Sequence, residues 1–381
     1  MNETRLDAVN TIIVGAGLAG ATAARLLAQK GKKVLVLEKR PHVGGSVYDC
    51  PNEAGLLVHV YGPHIFHTND REVFDLLSLY TGWRAYRHRV LANVHGTMLP
   101  VPFNFTSLEL AFPEEAPVLE EKLRQAFPDV KQIPLQHLLE SPEAEIRKVG
   151  VYVRENIFRR YTEKQWGVPF EQADVSALNR VPVRLGREDG YFLDTWQGMP
   201  DKGYTAMVEK MLEHPNIAVK CGVSADIEPK EDGTLYVQGQ AFLGDVVYTG
   251  TIDGLFGYRL GRLPYRTLNF AFETLEQAQF QPCGTVNYTV DEAFTRITEC
   301  KQLTGEESNC TTILREYPKA CGEADTPYYP IASEESRKLY EAYEALAARY
   351  PNLHLCGRLG EYRYYNMDAV VRRAMDLAER L

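Results

Sequence analysis

The segment Gly15-Ala-Gly-Leu-Ala-Gly20 constrains the fold more than any other part of this chain, because of what flanks it. Residues 10–15 read as a short buried strand, Ala16 to Gln29 as an Ala- and Leu-rich helix, and Lys33 to Glu38 as a second buried strand. Strand, glycine-rich turn, helix and parallel strand make one βαβ unit. Gly15 allows the tight turn, Gly17 lets the backbone approach a pyrophosphate, and Gly20 lets the helix pack on the strand. The helix N-terminus around Leu18 offers free N–H groups and a partial positive charge to phosphates. Glu38 closes the second strand, where its carboxylate can accept from the hydroxyls of an adenosine ribose.

The residues after Glu38 separate FAD from NAD. Arg40-Pro-His-Val-Gly-Gly45, flanked by Lys39 and Ser46, resembles the second FAD fingerprint of glutathione-reductase-like flavoproteins and amine oxidases. Gly44 and Gly45 would let the backbone pass close to the flavin and its phosphates. Near the other end of the chain, Cys356-Gly-Arg-Leu-Gly360 follows a strand and Met367 opens the last helix. A flavin ring at that helix N-terminus would have negative charge on it favoured by the dipole.

Between these ends the pattern changes twice. Residues 83–105 read as strands with a turn at His95-Gly96. Residues 106–176 turn helical, with a capping box at Thr106-Ser-Leu-Glu109 and an N-cap at Ser141-Pro142-Glu143. Within 143–165, Phe158 and Tyr161 are three apart and are expected on one face. Residues 177–204 are rich in Gly, Pro, Asp and Tyr, as loops around a functional surface are. Strands are expected at Ile217–Cys221, Ala225–Glu228, Leu235–Val237, Phe242–Asp253, Arg266–Glu273, Cys283–Thr289 and Leu353–Cys356, and helices at 205–214, 333–349 and 367–381. The expected fold is α/β: a discontinuous Rossmann-like FAD-binding domain (1–82, 198–258 and 331–381), an inserted helical bundle (106–176), and an antiparallel β-sheet domain (83–105, 177–197 and 259–330).

Composition narrows the partners. The net charge is −9, which argues against nucleic acid and means that an anionic ligand needs a local cluster of Arg or Lys. The seven cysteines are odd in number and form no CxxC, so free thiols in a reducing cytoplasm are expected, with no zinc site. No signal peptide and no membrane span are expected. His64 and His67 are spaced like metal ligands, but no third ligand accompanies them, and no metal is expected.

Five segments carry a more specific resemblance. They are Gly62-Pro-His-Ile-Phe-His-Thr68, Tyr161-Thr-Glu-Lys-Gln-Trp-Gly167, Asp194-Thr-Trp-Gln-Gly198 with Met199-Pro200, Pro327-Tyr-Tyr-Pro330, and Gly357-Arg-Leu-Gly360 with Tyr362 to Met367. Together they resemble the UDP-galactopyranose mutase family along nearly the whole chain. The resemblance implies interconversion of UDP-galactopyranose and UDP-galactofuranose without net redox change. It implies reduced FAD as nucleophile, N5 attacking the anomeric carbon by way of a flavin–sugar iminium.

The same resemblance assigns residues. Arg180, on a mobile loop, and Arg296 would grip the diphosphate, as guanidinium groups suit, and Arg266 would be a further arginine of the site. Phe158 and Tyr161 would surround uracil and Trp166 would lie near the sugar, although an aromatic stripe at this spacing also fits a helix core. Tyr191, Tyr328, Tyr329 and Tyr364 would meet the diphosphate, with Tyr329 favoured over Tyr328. Asn287 would contact sugar or nucleotide. His64, in preference to His67, would lie against the flavin near N5. Contacts to FAD are expected from Gly15, Gly17, Leu18, Gly20, Glu38, Lys39, Gly45, Ser46, His64, Arg358 and Met367. Two residues depart from the family pattern: Ser46 where Asn is expected, and Asn366, in the substrate site, where an acid is usual. A reductant such as NAD(P)H and a homo-oligomer are further expectations. Two alternatives share the nucleotide motifs: an amine-oxidase-like FAD oxidoreductase and a non-catalytic nucleotide-sugar-binding flavoprotein.

Overall fold

The computed structural model describes residues 6–172 and 181–381. Arg180 and the loop expected to carry it therefore lie outside the described residues. The N-terminal βαβ unit is present as strands Thr11–Val14 and Val34–Glu38 around helix Leu18–Gln29. The two strands belong to a five-stranded parallel sheet that runs Ile217–Cys221, Val34–Glu38, Thr11–Val14, Asp245–Tyr248, Leu353–Leu355. Strands from both ends and the middle of the chain thus build one sheet. Helices Leu18–Gln29, Gly203–Leu212 and Met367–Arg380 pack in one apolar cluster against it.

The strand expected over Phe242–Asp253 is a correction. It divides into Gln240–Phe242, Asp245–Tyr248 and a short helix Ile252–Leu255. Gly244 causes the first break: a Cβ there would lie 2.3 Å from the Asn10 carbonyl, so the chain crosses too tightly to continue as a ladder.

A second sheet has seven strands, in the order Tyr329–Pro330, Tyr265–Leu275, Thr311–Ala320, Arg296–Glu299, Thr285–Tyr288, Val90–Val94, Thr97–Val101. The sequence pattern suggests a purely antiparallel sheet, yet Thr285–Tyr288 and Val90–Val94 run parallel. The long stretch of chain between them supplies the crossover that a parallel pair needs. Register aligns one file of residues across this sheet: Phe270, Glu316, Arg296, Asn287, Ala92 and Leu99. Cross-strand neighbours share a face. The file begins in the apolar core of the helical insert, to which Ala92 and Leu99 belong, and becomes polar in the middle.

The insert starts earlier than its caps suggest. Helix Phe105–Ala111 is capped by Asn104, which forms the capping box with Ser107. Burial of Phe105 decides this, since its ring is in the core. Likewise Ser141 does not cap: helix Ala144–Val153 begins after Glu143. That helix runs through a π-helical stretch, Arg154–Arg159, into helix Arg160–Trp166. The π turn breaks the 3.6-residue spacing on which a shared face for Phe158 and Tyr161 depends. Phe158 points into the insert's core and is 7% exposed, whereas Tyr161 is half-buried and in electrostatic reach of Arg296.

Candidate active site

The glycine turn is built for a dinucleotide. Gly15 has φ +99, and a Cβ on Gly20 would lie 1.9 Å from the Gly15 carbonyl, so the helix sits directly on the turn. Gly17 caps helix Leu18–Gln29 with no side-chain hydrogen bond to its first turn. Across from it, Gly45 has φ +56, and a Cβ there would come within 2.7 Å of the Gly17 Cα. The two backbones form a cradle that any side chain would fill. Buried Glu38 accepts from the Ala16 N–H and the Arg40 N–H, both at 2.8 Å, and ties the two turns together. Each carboxylate oxygen keeps a second lone pair for a ribose hydroxyl. Leu18 is buried behind the turn, while Lys39 and Ser46 are exposed beside it. A helix N-terminus without a cap, a side-chain-free cradle and an anchored acid fit FAD.

The seven-stranded sheet presents the second half of the site. Arg296 Nε lies 2.5 Å from Glu316 Oε1, and Glu316 is fully buried. Burial works against the arginine's charge, but the Glu316 carboxylate holds its pKa well above the usual value, with the Tyr161 and Tyr329 phenols adding to this. Burial raises the pKa of Tyr161 and of Tyr329; Arg296 opposes the rise at both. Both phenols therefore stay protonated and can donate. Tyr191 and Tyr329 are in electrostatic reach of Tyr161, and Asn287 stands directly opposite Arg296.

Tyr329 stacks on Tyr364 at 6.0 Å and meets Trp166 edge-on at 6.4 Å. Arg358 lies over both tyrosines and donates to the Tyr328 and Tyr365 carbonyls. Tyr328 turns instead toward Phe270, at 5.8 Å, and is nearly buried. Arg266 donates from Nε to the Gln165 carbonyl at 2.9 Å and from Nη2 to the Lys164 carbonyl at 3.1 Å. A guanidinium at a helix C-terminus satisfies carbonyls that the helix leaves open. Gly167, at φ +69, leaves the room for it.

The histidines separate. His64 donates from Nδ1 to the Gly62 carbonyl at 2.8 Å, which leaves Nε2 as an acceptor, and its backbone N–H donates to His59 Nδ1. Burial lowers its pKa to about 3, with His59, Arg358 and Arg296 contributing. His67 instead stacks on Phe192 at 3.6 Å and hydrogen-bonds through Nδ1 to Asp194. Among the described residues no cluster of three or more His, Cys, Asp or Glu could hold a metal, and no helix is long and apolar enough to cross a membrane.

Met367 opens the last helix, and Asn366 is its N-cap residue without a side-chain capping bond, exposed to solvent. The acid of that helix's first turn is Asp368, which accepts from the Thr68 hydroxyl at 2.9 Å.

Three side chains of the site give no signal of their role in the sequence. Glu316 is one; only its lone acidic character on an apolar strand face marks it. His88 is another: it is buried, edge-on to Tyr191, and held neutral by burial, with Arg296 and His67 adding, its pKa lowered to about 3. The third is Arg184, which donates to the Gly190 and Tyr191 carbonyls and so fixes the segment carrying Tyr191.

The buried neutral histidines have a consequence for stability. Burial lowers His59 to about 4 as well. An unfolded histidine binds its proton near pH 6.5, so below that pH the unfolded state takes up protons that the folded state refuses. The stability contributed by these histidines is present above pH 6.5 and is lost as pH falls toward about 4 for His59 and about 3 for His64 and His88. Each is expected to contribute up to about 1.4 kcal/mol per pH unit to the slope. Denaturant titrations from pH 7 to pH 4.5 should show a steep loss; a flat profile would contradict neutral burial.

The family model described as UDP-galactopyranose mutase matches residues 156–364, and one described as NAD(P)-binding Rossmann-like domain matches residues 13–79. A UDP-galactopyranose mutase of Mycoplasma pneumoniae is 37% identical over 100% of this chain and 98% of its own. A dTDP-fucopyranose mutase of Escherichia coli is 33% identical over 97% of both chains. The crystal structure of a reduced UDP-galactopyranose mutase has the same fold, at TM-score 0.69 and 15% identity over 98% of this chain and 95% of that one. By contrast, a flavin-containing amine oxidase A of Sus scrofa matches only 16% of this chain and 12% of its own.

Proposed function

The chain belongs to the UDP-galactopyranose mutase family, and on that premise we propose that its cleft interconverts UDP-galactopyranose and UDP-galactofuranose. The observation that carries this reading is the convergence of Arg296, Tyr161, Tyr191, Tyr329 and Tyr364 in an otherwise acidic chain. Phenols and a guanidinium make a site for phosphate oxygens, not for an apolar amine. The amine-oxidase alternative has sequence support over only 16% of this chain.

Reduced FAD, when bound, supplies the nucleophile for the anomeric carbon. The chain's own residues supply position and charge. Arg296 compensates the charge that gathers on the diphosphate as it leaves, and Glu316 fixes the guanidinium's direction. Tyr161 and Tyr329 donate to phosphate oxygens because burial keeps them protonated. Neutral His64 offers Nε2 as a hydrogen-bond acceptor, within electrostatic reach of Arg358 and Arg296. We assign Arg180 to the same diphosphate, and an electron donor such as NAD(P)H to the reduction.

Dithionite-reduced protein incubated under argon with UDP-galactofuranose should form UDP-galactopyranose, and oxidised protein should not. No conversion, together with amine oxidation by the aerobic protein, would favour the oxidase.

A further inference from the structure

The family motif Tyr161-Thr-Glu-Lys-Gln-Trp-Gly167 contains a lysine that the reaction does not use. Lys164 donates from Nζ to three backbone carbonyls: Tyr288 at 2.6 Å, Glu292 at 2.9 Å and Phe294 at 3.1 Å. An ammonium has three donors, and all three are taken. The carbonyls belong to the last residue of strand Thr285–Tyr288 and to its connection to strand Arg296–Glu299; the two strands carry Asn287 and Arg296. The acids of that connection, Asp291 and Glu292, favour the lysine's charge against the cost of its burial.

Two further residues bond across the same seam. Buried Thr289 donates its hydroxyl to the Asn156 carbonyl, within the π-helical stretch, at 2.5 Å. Arg266, on the long neighbouring strand, grips the Lys164 and Gln165 carbonyls. The helix bearing Tyr161 and Trp166 is thus bolted to the sheet bearing Arg296 at three points, with Lys164 in the middle.

We propose that Lys164 is a positioning residue whose ammonium fixes the separation between the aromatic helix and the arginine strand, and so sets the width of the diphosphate site. The inference rests on reading this cleft as a nucleotide-sugar site. Without the ammonium, three carbonyls lose their donor and the connection is free to shift, taking Arg296 with it.

The test uses the FAD-bound full chain, with UDP as the probe and tryptophan fluorescence as the readout. Lys164→Met is expected to weaken UDP binding about five- to tenfold, in the range of coupled contacts. In an Arg296→Ala background the same change should cost less than about twofold, because the group through which it acts is gone. An equal loss in both backgrounds, or no loss in either, would overturn the proposal. Hydrogen exchange in peptides covering 286–298 should speed up in Lys164→Met while the parallel sheet stays protected. That readout needs no ligand: if wild-type protein bound no UDP, the functional reading would fail, and the exchange result would still decide the role of Lys164. Should Lys164→Met not fold, Lys164→Gln, which retains one amide donor group, is expected to show a smaller change of the same sign. Unchanged exchange in the folded variant would refute the role.

Discussion

Arg296→Ala is expected to lower kcat/KM for the nucleotide sugar by roughly 10²–10³-fold, the loss typical when one charged stabiliser of a developing anion is removed. Two effects combine. The diphosphate loses its guanidinium, and Glu316, fully buried and paired with Arg296 at 2.5 Å, loses its counter-charge. An unpaired buried carboxylate takes up a proton or draws in water, and either disturbs Tyr161 and Tyr329 beside it. Arg296→Lys should recover only part of the loss, since a lysine brings charge without the planar fork. Arg296→Ala with Glu316→Gln should restore stability more than activity, separating the structural cost from the catalytic one. Retention of wild-type kcat/KM in Arg296→Ala, measured on protein with full FAD content, would remove the residue from the mechanism.

The second large effect is expected at Gly17. Gly17→Val should leave a folded protein that purifies without flavin, with FAD occupancy reduced by at least about tenfold, corresponding to about 1.4 kcal/mol or more. The backbone conformation of Gly17 is φ −78, ψ −175, which any residue adopts, so the change introduces no backbone strain. A Cβ at Gly17 meets the Gly45 Cα at 3.5 Å, an ordinary contact, but branched methyls would occupy the cradle between the two turns. Gly20→Ala makes the contrast. Its Cβ would fall 1.9 Å from the Gly15 carbonyl, so the helix must move off the strand and stability should fall along with FAD binding. Absorbance at the flavin band and thermal melts, run on both variants, distinguish the two outcomes. A yellow Gly17→Val protein with wild-type occupancy would contradict the phosphate site.

Local structure is legible in this sequence, and long-range pairing is not. The βαβ unit can be read because its signals are contiguous: two buried strands, three glycines and Glu38 within thirty residues. Strands Ile217–Cys221 and Leu235–Val237 are equally plain, each an apolar run between turns. The file of Phe270, Glu316, Arg296, Asn287 and Ala92 depends on the register of five strands, and no local pattern specifies it. Hence the local pattern marks Glu316 only as a lone acid on an apolar strand face and His88 not at all, although Glu316 pairs with Arg296 and His88 lies within electrostatic reach of it. The π turn at Arg154–Arg159 hides the place of Phe158 for a related reason: helical spacing presumes an unbroken helix. Arg266 is legible only in part: the family pattern marks it for the site, but nothing in the sequence shows that Nε and Nη2 also close the helix that ends at Trp166. Between Tyr328 and Tyr329 the spacing has no preference, and packing separates them: Tyr328 lies against Phe270, Tyr329 against Trp166 and Tyr364.

The contact at the centre of the proposed chemistry is a diphosphate held by the guanidinium that Glu316 steers. A crystal structure of the reduced, FAD-loaded protein with UDP addresses it most directly. Phosphate oxygens at hydrogen-bonding distance from Arg296, flanked by the hydroxyls of Tyr161 and Tyr329, are the predicted result. UDP bound elsewhere, with Arg296 still turned only to Glu316, would contradict it.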